Sequence, residues 1–127
     1  MVKENYQLLA IIDKTNKDHH FQLVIAYISS KSPLAEVVDD LSKILEHQMT
    51  TIITGDFNFD RNETNALSVF LRKRKFKQLV LWPTQDTRGR TLDHCYVSEN
   101  ARVHLTRYSP FYSDHDALCI QFEHFPW

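Results

Sequence analysis

The chain has no run of the roughly 18 apolar residues that a membrane-spanning helix needs, and Met1-Val2-Lys3-Glu4-Asn5 does not read as a signal peptide. It also lacks a charge of one sign. Fifteen Lys and Arg against 16 Asp and Glu leave a formal net charge of −1, so no global field draws it to nucleic acid or to an acidic membrane. Cysteine is scarce. Cys95 and Cys119 lie in strand-like stretches without CxxC spacing, which reads as two free, buried thiols in a reducing, intracellular compartment, nucleus or cytoplasm. The alternative for them is a zinc site with His94. Glycine is down to Gly55 and Gly89, and repeats, low-complexity segments and linkers are missing. What remains is one domain of 127 residues, a size that buries roughly two-thirds of its unfolded surface.

Two runs rich in β-branched and aromatic residues, Tyr6–Asp13 and Phe21–Ile28, flank a polar stretch and read as an antiparallel hairpin. In the second run both alternating sets are apolar, so the strand should be covered on both sides. Ser32-Pro33 reads as an N-cap followed by proline at the first helical position. From there Leu34, Val37, Val38, Leu41, Ile44 and Leu45 form one helical stripe, with Glu36, Asp39 and Asp40 facing solvent and an end near His47-Gln48. Residues 51–54 predict a short buried strand that stops at Gly55, where the chain can turn. A second helix over 62–75 with Leu67, Phe70 and Leu71 inward is followed by strands at 79–82, 91–98, 103–108 and 116–122. The order β-β-α-β-α-β-β-β-β predicts an α/β layered domain. The run Arg72-Lys73-Arg74-Lys75 reads as a solvated helix terminus rather than a nucleic-acid patch.

Three short polar motifs punctuate these elements: Gly55-Asp56-Phe57-Asn58, Leu92-Asp93-His94 and Ser113-Asp114-His115. Each has a bland reading, since Gly, Asp, Asn and Ser start turns for local reasons. Taken together they supply acidic groups, an amide and an imidazole at sheet edges, the equipment for metal-assisted hydrolysis of a phosphoester. Asp56 and Asn58, two positions apart after a strand, can reach one cleft; Asp56 would deprotonate a water or bind a metal and Asn58 would donate to a phosphate oxygen. Alternation puts Asp93 on the face of Cys95 and Val97, where a carboxylate needs a partner: a backbone amide, Arg90, or an imidazole that it orients. His115 is the candidate acid/base and Asp114 the metal-directed carboxylate. An His-Asp pair also marks metal-dependent HD phosphohydrolases, but their helical context is missing here. His19, His20, His47, His104 and His124 have no partner at ligand spacing.

With Ala26-Tyr27 upstream, these motifs resemble the C-terminal half of the exonuclease–endonuclease–phosphatase superfamily, which includes abasic-site endonucleases, deoxyribonuclease-I-like enzymes and retrotransposon endonucleases. Residues 79–84, 91–98 and 112–122 look most like endonuclease domains of mobile elements. The resemblance runs from about Phe21 to Phe122. It implies a phosphodiesterase dependent on Mg²⁺, with Mn²⁺ as the alternative, acting on DNA or another phosphodiester. By the same resemblance Asp56 would activate the attacking water, Asn58 would hold the phosphate and Tyr27 would reach a phosphate oxygen. Asp114, with Asp56, would serve the metal, and His115, oriented by Asp93, would contact the phosphate or move a proton. Ser30 stands where the family often has an asparagine.

In the family an asparagine strand and a glutamate strand, the latter bearing the main metal ligand, precede the part matched here. The expectation is therefore half of a four-layer α/β sandwich: a mixed sheet with helices on one face, its N-terminal strands missing, and a single partial domain over residues 1–127. The open sheet face would pair in a homodimer or with the missing N-terminal half. Two rival functions remain, a catalytically silent structural or interaction module and a phosphatase acting on a small phosphoester or lipid headgroup.

Overall fold

A computed structural model describes residues 5–14, 20–45, 49–84, 89–99, 101–108 and 117–123, the last two stretches by their backbone. Seven strands and two helices follow the expected order: β1 (Tyr6–Asp13), β2 (Phe21–Ile28), α1 (Leu34–Ile44), β3 (Thr50–Asp56), α2 (Ala66–Lys73), β4 (Lys77–Gln78), β5 (Asp93–Val97), β6 (Arg102–Tyr108) and β7 (Ala117–Glu123). Five of the strands form a mixed sheet in the order β1-β2-β3-β5-β4, and β6 and β7 pair as a second, two-stranded sheet. β2 and β3 run parallel through the α1 crossover, and the other neighbours in the larger sheet are antiparallel. The architecture is α/β, with both helices on one face of the mixed sheet.

On the helix face Val37 and Leu41 of α1 and Leu67 and Leu71 of α2 are buried against Tyr6, Leu8, Val24, Ala26, Ile28, Ile53 and Tyr96. These sheet residues all sit at one parity of the strands, as a half-buried pleat demands. The opposite face carries a smaller cluster of Phe21, Ile52, Val80, Cys95 and Val97. The rest of that face, toward β1, leaves Leu9, Ile11, Ile25 and Tyr27 exposed. No helix among the described residues is long and apolar enough to cross a membrane.

Several local expectations are corrected. Ser32 does not cap α1. Its hydroxyl donates to the Asn5 carbonyl (2.7 Å), and Pro33 takes the cap position with no side-chain hydrogen bond. Asp40 is buried rather than solvated, because the Tyr6 hydroxyl on β1 donates to its Oδ2 and pulls the carboxylate under the sheet edge. The second helix starts only at Ala66, where Asn65 accepts from the Ser68 N–H (2.9 Å) and Ser68 Oγ accepts from the Asn65 N–H (2.9 Å), a reciprocal capping box. Residues 79–82 form no strand. The Gln78 carboxamide oxygen accepts from the N–H of Cys95 (2.9 Å) and Val80 (3.0 Å), taking the place of a main-chain acceptor, and the chain leaves the ladder to bury Val80 on the second face.

β3 does not stop at Gly55. The strand continues to Asp56, and Gly55 lies in register between Ala26 and His94. Its φ is +145°, and a Cβ there would fall 1.8 Å from the Ala26 carbonyl oxygen. Glycine is therefore required for close approach of two backbones inside the sheet, and the turn comes afterwards.

Candidate functional site

β2 and β3 are parallel, so both deliver their C-terminal ends to one edge of the sheet, and the antiparallel β5 brings its first residue to the same edge. The register then aligns Tyr27 with Asp56 and Asp56 with Asp93, one row across three adjoining strands. Side chains at matched register share a face, with Cα atoms roughly 5 Å apart. The phenol and both carboxylates thus sit side by side, Tyr27 exposed and the two aspartates half-buried. Two carboxylates in direct cross-strand apposition favour a cation or donors between them.

Beyond Asp56 the chain turns through Asn58, which adopts φ 53°, a left-handed conformation that asparagine tolerates. Asn58 donates its backbone N–H to Asp56 Oδ1 (3.0 Å) and its Nδ2 to the Ile28 carbonyl (2.7 Å). The first bond orients the carboxylate. The second ties the β3 turn to the end of β2, and leaves the second N–H of Nδ2 for another acceptor.

The segment before β5 is sewn to this turn. Phe57 N–H donates to the Leu92 carbonyl (2.8 Å), Arg61 N–H to the Thr91 carbonyl (3.1 Å), and Thr91 N–H to Asp60 Oδ1 (2.8 Å). Burial would raise the Asp60 pKa, but the N–H donors of Thr91 and Asn62, with the Arg61 charge, carry it below the ordinary carboxylate value. Thr84, fully buried, accepts at Oγ1 from the N–H of both Leu92 and Asp93 (3.0 Å each) and fixes the backbone under the Asp93 carboxylate.

His94 fills the space beneath the turn. Its ring stacks on Phe57 (4.9 Å between centroids, 12° between planes) and meets Phe59 edge-on (5.2 Å, 86°). Nε2 faces the Thr91 carbonyl (2.8 Å), which can only accept, so the proton lies on Nε2; Nδ1 accepts from the Tyr96 hydroxyl (2.9 Å). Burial pushes its pKa down, against the opposing hydrogen bond to Thr91, and holds the ring neutral. His94 and Cys95 point to opposite faces of β5, so the zinc alternative with both fails on alternation. Burial also pushes the Cys95 thiol up to about 12, which makes it inert packing.

Of the sequence-derived candidates, Tyr27, Asp56, Asn58 and Asp93 come to one edge of the sheet. Asp114 and His115 lie outside the described residues, and with them the proposed Asp93–His115 contact. The sequence reading missed Thr84 and Asp60, and treated His94 only as a zinc alternative. Asp60 carried a signal, its place two residues after Asn58, whereas nothing local marks Thr84.

Among the described residues no group of three or more His, Cys, Asp and Glu side chains gathers as a metal site. Asp56 and Asp93 make a pair. A hard cation such as Mg²⁺ commonly takes one or two carboxylates and completes its shell with waters and substrate phosphate, so the oxygen pair fits it in kind.

A scan against protein-family models finds no match, and a search of curated proteins finds none either. Among solved structures the chain is similar to an endonuclease/exonuclease/phosphatase family protein from Bacteroides thetaiotaomicron, with a TM-score of 0.55 and 17% identity. The match covers 85% of this chain and 52% of that one, so the chain spans about half the length of the structure it matches. The likeness is one of fold: the mixed sheet with helices on one face is similar to that of this neighbour.

Proposed function

We propose that the protein acts as a phosphodiesterase on nucleic acid, in the manner of mobile-element endonucleases, with Mg²⁺ as its cofactor. The observation that supports this reading is the row of Tyr27, Asp56 and Asp93, aligned in register at the edge where β2 and β3 end. In this reading Asp56, oriented by the Asn58 N–H, takes the proton of the water that attacks phosphorus in line. Tyr27 donates its hydroxyl to a non-bridging oxygen, and the second N–H of Asn58 Nδ2 holds another. Asp93 orients His115, which contacts the phosphate or moves a proton, and Asp114, with Asp56, would hold the cation. A bound divalent cation would supply charge neutralisation of the phosphate and a lowered pKa for its water.

The test is cleavage of supercoiled plasmid and of bis(p-nitrophenyl) phosphate with and without Mg²⁺. The expected result is turnover that needs the metal and falls at least about a hundredfold in Asp56→Asn, the usual scale for losing a general base. Metal-independent turnover, or turnover unchanged in Asp56→Asn, contradicts the assignment. A second reading, a silent structural or interaction module, is favoured by the hydrogen bond that spends Asp56 Oδ1 on its own turn. It predicts no turnover of either substrate. Turnover of p-nitrophenyl phosphate alone favours the small-phosphoester reading.

A further inference from the structure

Five of the fifteen Lys and Arg fall between Arg72 and Lys77, and no Asp or Glu lies between Glu63 and Asp86, so a concentrated basic segment sits in a chain that is otherwise acidic. A solvated helix end accounts for only part of it. Arg72 and Lys73 lie in the last turn of α2, where cations suit the negative end of the helix dipole. Arg74, Lys75 and Lys77 lie beyond that turn. There the chain reverses through a Schellman motif: the Phe76 N–H donates to the Leu71 carbonyl and the Lys75 N–H to the Arg72 carbonyl (3.0 Å each). Lys75 takes the left-handed position of the motif, φ 63°, where glycine would be free of strain. The Arg74 guanidinium lies over the Phe70 ring (5.3 Å to the centroid), which holds its plane and leaves its N–H edge open. Arg72, Lys73, Lys75 and Lys77 are exposed, and among the described residues none of the five cations pairs with a carboxylate.

We propose that this turn is a docking surface for the phosphate backbone of nucleic acid, set apart from the reacting edge. Lys77 pairs with Val97 at the end of β5 opposite Asp93, roughly 13 Å along the strand. The turn is therefore a second contact outside the aspartate row, and it stands on its own charge whether or not a phosphodiester is cleaved. Cations without carboxylate partners gain by releasing the counterions of a phosphate chain, which on a duplex carries one charge per roughly 1.7 Å of axis. Such contacts hold the polymer and read no sequence. An acidic membrane fits less well. Phe70 and Phe76, the aromatics beside the cations, pack against the helix-side core and do not stand free to insert.

The test is fluorescence polarisation of a labelled duplex of arbitrary sequence with the full chain, in EDTA so that nothing is cleaved. Binding should be micromolar at about 25 mM salt and weaken with a log–log salt slope of about −3 to −4, as roughly four phosphate contacts require. Lys75→Gly should reduce that slope by about one without lowering the melting midpoint, since glycine suits the left-handed position. Lys73→Gln combined with Lys75→Gly and Lys77→Gln should weaken binding at least tenfold, and Asp56→Asn should not weaken it. No binding at low salt, a slope unaltered by Lys75→Gly, or binding lost in Asp56→Asn would overturn the proposal. Tighter binding to phosphatidylserine vesicles than to the duplex would overturn it too. Duplex binding that follows these cations, with no turnover of bis(p-nitrophenyl) phosphate, leaves the docking surface standing and removes the phosphodiesterase reading. Turnover with no duplex binding does the reverse.

Discussion

His94 spends both ring nitrogens on hydrogen bonds and packs one ring face on Phe57 with Phe59 edge-on beside it, so its charge state is bound to the fold of the turn that carries Asp56. Protonation would place a second N–H against the Tyr96 hydroxyl and a charge where burial opposes it. Because its folded pKa is depressed below the ordinary 6.5, the unfolded chain binds more protons between the two values. Stability is therefore complete above the unfolded value and falls as pH drops through that window. Thermal melts from about pH 7.5 down to about pH 5.5 should show a falling midpoint in the wild type and a flatter profile in His94→Gln. Equal slopes would show that the ring titrates freely. Asp60 does not blur this test, since its depressed pKa contributes stability that is lost only below the ordinary 3.8.

At the scale of elements, the site depends on hydrogen bonds that join loops rather than on the strands alone. Thr84 Oγ1 serves two N–H groups at the head of β5, so Thr84→Val leaves two buried donors without their acceptor. The expected loss is roughly 2–4 kcal/mol in denaturant unfolding, largely recovered in Thr84→Ser. If Val and Ser behave alike, methyl packing rather than the hydroxyl holds this junction. The strands β1 and β2 were legible residue for residue because their apolar alternation and flanking polar loop leave one pattern, and the inner faces of α1 and α2 followed from 3.6-residue spacing. The row of Tyr27, Asp56 and Asp93 was legible as strand-end motifs, though its alignment needed the register. Gly55 misled because glycine signals a turn locally, whereas its reason is the Ala26 carbonyl on another strand. Asp40, Gln78 and Thr84 went unread for the same cause: each is set by a partner 8 to 34 positions away, a contact that local pattern does not encode.

For the whole molecule, the informative imbalance is between the two faces of the larger sheet. The helix side is closed, while Leu9, Ile11, Ile25 and Tyr27 keep 42% to 55% of their surface exposed on the other side, next to the edge strand β1. Soluble monomers rarely present contiguous apolar patches beyond a few hundred Å². The proposal that this face pairs with a second copy, or with further strands of the same fold, predicts concentration-dependent light scattering and apolar-dye binding by the 127-residue chain. Leu9→Lys with Ile11→Lys should reduce both without altering the melt cooperativity. A monodisperse wild-type monomer that binds no dye would show the face to be covered already. The central claim, that the β2–β3–β5 edge is a hard-cation phosphodiester site, is tested most directly by titrating Mn²⁺ into isotope-labelled protein and reading paramagnetic broadening. The account predicts weak, millimolar binding with broadening centred on Asp56, Asn58 and Asp93 and lost in Asp56→Asn. Broadening centred elsewhere, or unaltered by Asp56→Asn, would contradict it.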